Sequence, residues 1–193
     1  MIIQATPYGT KKEEPFAFTY SGDFTDSRVD GIGDVTLNTS GQLVTSGKTV
    51  TVSVYILGAG GGGAQRYTSS SSYRKTIGGG SGGFQIQTVT LAPGVYEIVI
   101  GVGGAGVYTT TSSGTQEGAT GGDTSAFGYT STGGTGGKIT GSGYQTTVTH
   151  GTGGSPNGNN GVAEGVLPNG GPGNSGSAAA NNGGNGLVRI TFS

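Results

Sequence analysis

Forty-five glycines and an apolar share of 31% leave this 193-residue chain little material for a large hydrophobic core. A net charge of -1 without clustered Lys and Arg argues against a nucleic-acid partner, and the lack of Cys removes disulfides and thiolate metal sites. If the chain folds, its glycine must be ordered without a large apolar interior.

Residues 1–15 read as an arm, with Pro7 and Pro15 bracketing the charged patch Lys11-Lys12-Glu13-Glu14. No basic start followed by an apolar run marks a signal peptide, and no apolar run approaches the roughly 20 residues that span a bilayer. Synthesis in the cytoplasm without membrane insertion is therefore expected.

Residues 16–57 read as β. Phe16, Phe18 and Tyr20 share one face of a short strand. Asp23, Asp26, Asp30 and Asp34 follow among glycines; their spacing is not that of an EF-hand, and both an ion held by oxygen ligands and plain turn chemistry stay open. Val50, Val52, Val54 and Ile56 then alternate with Thr51, Ser53, Tyr55 and Leu57. The second face of that strand is partly apolar, which predicts a central strand covered on both sides. Residues 84–91 and 95–102 read as the two arms of a hairpin through Ala92-Pro93-Gly94. Residues 187–192 (LVRITF) form a last alternating strand.

Between these strands lie the glycine-rich segments 58–83 and 103–186. Glycines there often recur three apart, as at Gly103/Gly106, Gly118/Gly121, Gly133/Gly136, Gly151/Gly154 and Gly183/Gly186. A period of three belongs to the polyproline-II conformation. A collagen triple helix is excluded, because the period breaks often and only 6 prolines are present. Polyglycine-II segments packed side by side fit better: this helix has no internal hydrogen bonds, so its N–H and C=O groups must bond between segments, and a Cβ would hold the backbones apart. The expected fold is all-β: a small antiparallel β-sandwich with an inserted layer of packed polyglycine-II helices. One domain, 16–193, would hold a β module (16–57, 84–102 and 187–193) and the glycine-rich segments.

Catalysis is not expected. The pattern GxGxxG occurs at Gly58, Gly60 and Gly63 and at Gly101, Gly103 and Gly106, but neither run opens a helix, so a dinucleotide fingerprint is lacking. His150, the one histidine, has no visible nucleophile or orienting acid. Glu97, Glu117 and Glu164 form no convincing pair for glycoside cleavage. No cofactor is implied. The segments between glycine blocks carry a different signal, aromatic residues set among Ser, Thr and Asn, which gives contact area at low entropic cost. Arg66, Tyr67, Tyr73, Arg74, Tyr108, Tyr129, Tyr144 and His150 are the candidate receptor contacts, weighed against plain connections.

The order of motifs FAFTYSG (16–22), VSVYILGAGGGG (52–63), GGGSGGF (78–84), LAPGVYEIVIGVGGAG (91–106), GGDTSAFG (121–128) and GGNGLVRITF (183–192) resembles the glycine-rich domains of bacteriophage and prophage virion proteins. The alternation of glycine motifs with variable segments is similar to the tip adhesins of T-even-like phages. The resemblance implies a non-enzymatic virion protein, of tail-fibre or adhesin type, whose loops meet a bacterial surface receptor, a glycan or an outer surface protein. Its other partners would be virion proteins, and fibre proteins of this kind are commonly homo-oligomers, trimers above all. The alternative is an architectural decoration or tail protein without a receptor. An ice-binding role lacks the flat Thr array it would need.

Overall fold

The computed structural model describes residues 14–68, 73–111, 113–142, 145–160 and 181–193. Every regular element among them is a β-strand. Alternation of apolar and polar residues sets the first two sheets. One contains β1 (Ala17–Tyr20), β4 (Gly41–Ser46), β9 (Gly94–Val99), β12 (Thr124–Ala126) and β13 (Tyr129–Ser131), in the order β1-β4-β9-β12-β13. The other contains β2 (Phe24–Asp26), β3 (Gly33–Leu37), β16 (Leu187–Phe192), β5 (Val50–Leu57) and β8 (Phe84–Leu91), in the order β2-β3-β16-β5-β8. All neighbours in both sheets run antiparallel.

The two sheets enclose the main core. Val35, Leu37, Val54, Ile56, Val188 and Ile190 come from one sheet, Leu43, Ile98 and Ala126 from the other. Phe16, Phe18 and Tyr20 pack against this core on a shared face, as their spacing predicts. Burying each Val, Leu or Ile side chain contributes about 1.5–3 kcal/mol, so this sandwich holds most of the chain's apolar driving force.

Two expectations need correction. β5 is internal, between β16 and β8, yet its outer face is exposed at Thr51 and Ser53 and covered only toward its end, where Tyr55 is half-buried and Leu57 buried, so it is covered on both sides over part of its length. Residues 84–91 and 95–102 do not form a hairpin: β8 pairs with β5, β9 pairs with β4, and Ala92-Pro93 bridges the two sheets. The bridge is held by Tyr96, whose hydroxyl donates to the Ala92 carbonyl at 2.9 Å, and by Thr45, whose hydroxyl donates to the same carbonyl at 2.6 Å. Leu91 and Ile98 thereby enter the core from opposite sheets.

The glycine-rich crossings leave this sandwich. Segments 58–63, 78–83, 101–106, 118–123, 132–137, 151–156 and 181–186 lie side by side outside any strand. The innermost, 58–63, sends its N–H groups to three neighbours in rotation. Gly58 and Gly61 donate to Gly83 and Gly80; Ala59 and Gly62 donate to Gly122 and Ala119; Gly60 and Gly63 donate to Gly184 and Asn181, all at 2.8–3.0 Å. The donor direction thus repeats every third residue. Its carbonyls serve other segments, Gly60 accepting from Gly104 and Ala59 from Gly134, both at 2.9 Å.

Backbones here touch. A Cβ added to Gly61 would sit 2.0 Å from the Thr135 carbonyl oxygen, and one on Gly136 would sit 1.7 Å from that of Gly118. Where a segment faces outward, side chains return and cap a neighbour's N–H. Asn185 and Asn182 accept from Gly103 and Gly106, each at 2.9 Å, and Thr135 and Thr132 accept from Thr152 and Ser155 at 2.6 and 2.7 Å.

Beyond the glycine segments stands a second, smaller sandwich, inside stretches expected to be glycine layer. One sheet has the order β10-β6-β7, with β10 (Val107–Thr109), β6 (Ala64–Thr68) and β7 (Tyr73–Ile77). The other has the order β11-β14-β15, with β11 (Ser113–Glu117), β14 (Lys138–Ser142) and β15 (Gln145–Thr149). Only the β10–β6 pairing is parallel. Ala64, Ile77 and Ile139 form its core, with Val107 and Val148 packed against them.

Candidate binding surface

The topology of the small sandwich gathers six strand ends on one side. β6, β10 and β14 each follow a glycine segment and run away from it; β7, β11 and β15 each run back into the next one. Thr68, Thr109 and Ser142 therefore end their strands, and Tyr73, Ser113 and Gln145 begin theirs, at the same remote end. Short outward strands return through short connections, so chain order alone builds this clustering.

Tyr67, Tyr73 and Arg74 lie in β6 and β7 near that end, with Tyr67 in register with Arg74 and Thr68 with Tyr73. Tyr108 lies in the adjoining β10 and is 57% exposed. Beside it Thr109 and Thr111 share a hydroxyl contact of 3.0 Å, and Thr109 also accepts from the Thr111 N–H at 3.2 Å. This polar tip escaped the sequence reading; the run Thr109-Thr110-Thr111 was its signal. Tyr144 lies outside the described residues. His150 is exposed, but it follows β15 and so stands next to the glycine segments rather than at the remote end. Tyr129 is on β13, in the large sandwich across the glycine segments from the other candidates.

Arg66 is not a surface residue. Its side chain is wholly buried between the two small sheets, where Nη1 donates to the Gly141 carbonyl at 3.0 Å and Nη2 to the Gly114 carbonyl at 2.6 Å. Gly114 and Gly141 are register partners on β11 and β14, at φ +97° and +117°, a conformation glycine adopts without strain. Arg66 Nε is buried without a hydrogen-bond partner. A buried cation needs such acceptors to offset desolvation, so Arg66 acts as a cross-sheet tie beneath the tip. Lys138 and Glu117, which are register partners at the glycine end of the same sheet, form a half-exposed ion pair at 3.0 Å.

Two of the four aspartates of residues 23–34 are engaged by neighbouring side chains. Asp26 accepts from Arg28 Nε and Nη2 at 2.9 and 2.7 Å, and the Arg28 side chain holds its carboxyl below the usual aspartate range. Asp34 accepts from the Thr191 hydroxyl at 2.7 Å. Among the described residues no group of three His, Asp or Glu side chains is placed to hold a metal ion.

A family model described as a glycine-rich domain matches residues 37–192. No curated protein matches the chain.

Proposed function

The chain belongs to the glycine-rich domain family, and from that premise we propose that it is a non-enzymatic structural component of a bacteriophage virion, of tail-fibre or adhesin type, that meets the host cell surface through the remote end of its small sandwich. The observation that carries this reading is the convergence of six strand ends, those of β6, β7, β10, β11, β14 and β15, at one end, held off the large sandwich by the glycine segments. The resemblance of the motifs supplies the virion setting. We assign the glycine segments the polyglycine-II conformation, because a donor direction that repeats every third residue requires a three-residue turn.

In this reading the glycine layer is a rigid spacer, and the receptor contacts are Tyr67, Tyr73, Arg74, Tyr108 and Tyr144. Rigid placement spares the entropic cost of ordering loops on binding. Several copies on one particle raise the avidity of weak single sites. The receptor is a surface glycan or an outer surface protein, and the large sandwich and the arm face other virion proteins.

The test is binding of labelled protein to host cells and to extracted surface glycans. Replacing residues 69–72, 110–112 and 143–144 with Gly-Ser linkers should abolish cell binding while leaving the thermal melt in place. Wild-type protein that coats a virion and binds no cell fraction would point to the alternative, a decoration protein without a receptor.

A further inference from the structure

We propose that the free edge of β8 is a self-association surface, through which two copies of this chain pair antiparallel about Thr88 and join their β2-β3-β16-β5-β8 sheets into one. The inference is independent of the receptor reading.

β8 is the last strand of its sheet and is bonded along one side to β5. The Phe84 N–H donates to the Pro156 carbonyl at 2.6 Å, and the Phe84 carbonyl accepts from Asn157 Nδ2 at 3.1 Å. Phe84 therefore aims its main-chain groups away from β5, and by strand alternation so do Ile86, Thr88 and Thr90. At the other end the Ala92 N–H donates to the Tyr96 hydroxyl at 3.1 Å, and that hydroxyl donates back to the Ala92 carbonyl at 2.9 Å. Between these occupied ends, the outward groups of Ile86, Thr88 and Thr90 have no partner among the described residues.

This free run is symmetric, because Phe84 and Ala92 lie equally far from Thr88. A two-fold axis at Thr88 sets Thr88 against its copy and Ile86 against Thr90, and the occupied ends meet each other. Residues 84–91 contain no charge and no proline, the usual devices that blunt an edge. Ile86 is 63% exposed and Phe84 37%. The edge at the far side of the same sheet is protected: β2 has 3 residues and carries the Asp26–Arg28 ion pair. A strand that fits β8 must be uncharged, free of proline and limited to three alternating donor–acceptor residues. β8 itself meets each requirement, and such an isologous contact closes at two copies.

Sedimentation of the full chain over a range of concentrations tests this, together with amide exchange at residues 86, 88 and 90. The wild type should reach a dimer as concentration rises, with slowing exchange at those three amides. Thr88→Lys, at an exposed position, should keep the melt of the wild type but set like charges face to face, weakening the dimer about tenfold or more and less so at high salt. Thr88→Pro should abolish pairing by removing the central N–H. A wild type that stays monomeric at all concentrations, a trimer, or a dimer indifferent to Thr88→Lys would each overturn the proposal.

Discussion

The guanidinium of Arg66 reaches from β6 to the Gly141 carbonyl on β14 at 3.0 Å, so a buried cation ties the two sheets of the small sandwich together. The Gly114 carbonyl takes its second bond. Arg66→Ala should remove two charge-assisted hydrogen bonds, to the half-buried Gly141 and the exposed Gly114, at a cost of about 1.5–3 kcal/mol for each. Amide exchange should quicken in β6, β11 and β14 and stay unchanged in β5 and β16. Uniform quickening across both sandwiches would show that the two do not open separately.

Glycine at the layer's interior is required by contact. Gly61→Ala places a methyl 2.0 Å from the Thr135 carbonyl oxygen, where only backbone can give way. Overpacking of this kind costs about 1–3 kcal/mol or more. Asn185→Ala, on the outside of the layer, removes the cap on the Gly103 N–H and should cost only about 0.5–1.5 kcal/mol. Chemical denaturation of the two variants should rank them in that order.

The large sandwich should behave as an ordinary hydrophobic core. Ile190 is 1% exposed among the core residues. Ile190→Ala should cost about 2–5 kcal/mol, read from the denaturant midpoint, and Tyr108→Ala at the exposed tip should leave that midpoint in place while reducing cell binding.

Acid should weaken one surface tie of the large sandwich. The Arg28 side chain lowers the folded-state pKa of Asp26 beneath its unfolded value. The pair's contribution is therefore complete above the ordinary aspartate range and is lost as pH falls through the folded value. At this exposure it amounts to less than about 1 kcal/mol. Asp26→Asn should remove that part of the acid-limb slope in a stability–pH profile and leave the neutral-to-alkaline limb unaltered.

Sequence alone determined the long strands of the large sandwich, because alternation at Val50 to Ile56 and at Leu187 to Phe192 has a period of two and the core reads only that period, but the short β12 and β13 lay hidden in a stretch expected to be glycine layer. It also determined that the glycine stretches must satisfy most of their amides between segments, since a helix with a three-residue period makes no internal hydrogen bonds. The three-residue spacing of the glycines was legible too, whereas the outward caps at Asn182, Asn185, Thr132 and Thr135 emerged only in the structure.

Partner choice was decided only in three dimensions. Residues 84–91 and 95–102 look like a hairpin locally, but β5 and β4 offer each strand a better neighbour, and the core is filled only when Leu91 and Ile98 arrive from different sheets. The small sandwich was hidden because its strands are short, polar and glycine-bearing, and its apolar residues, Ala64, Ile77 and Ile139, are far apart in sequence. Arg66 looked like a surface contact for the same reason. Its two acceptors, at Gly114 and Gly141, come within reach only after the glycine segments have set β11 and β14 beside β6.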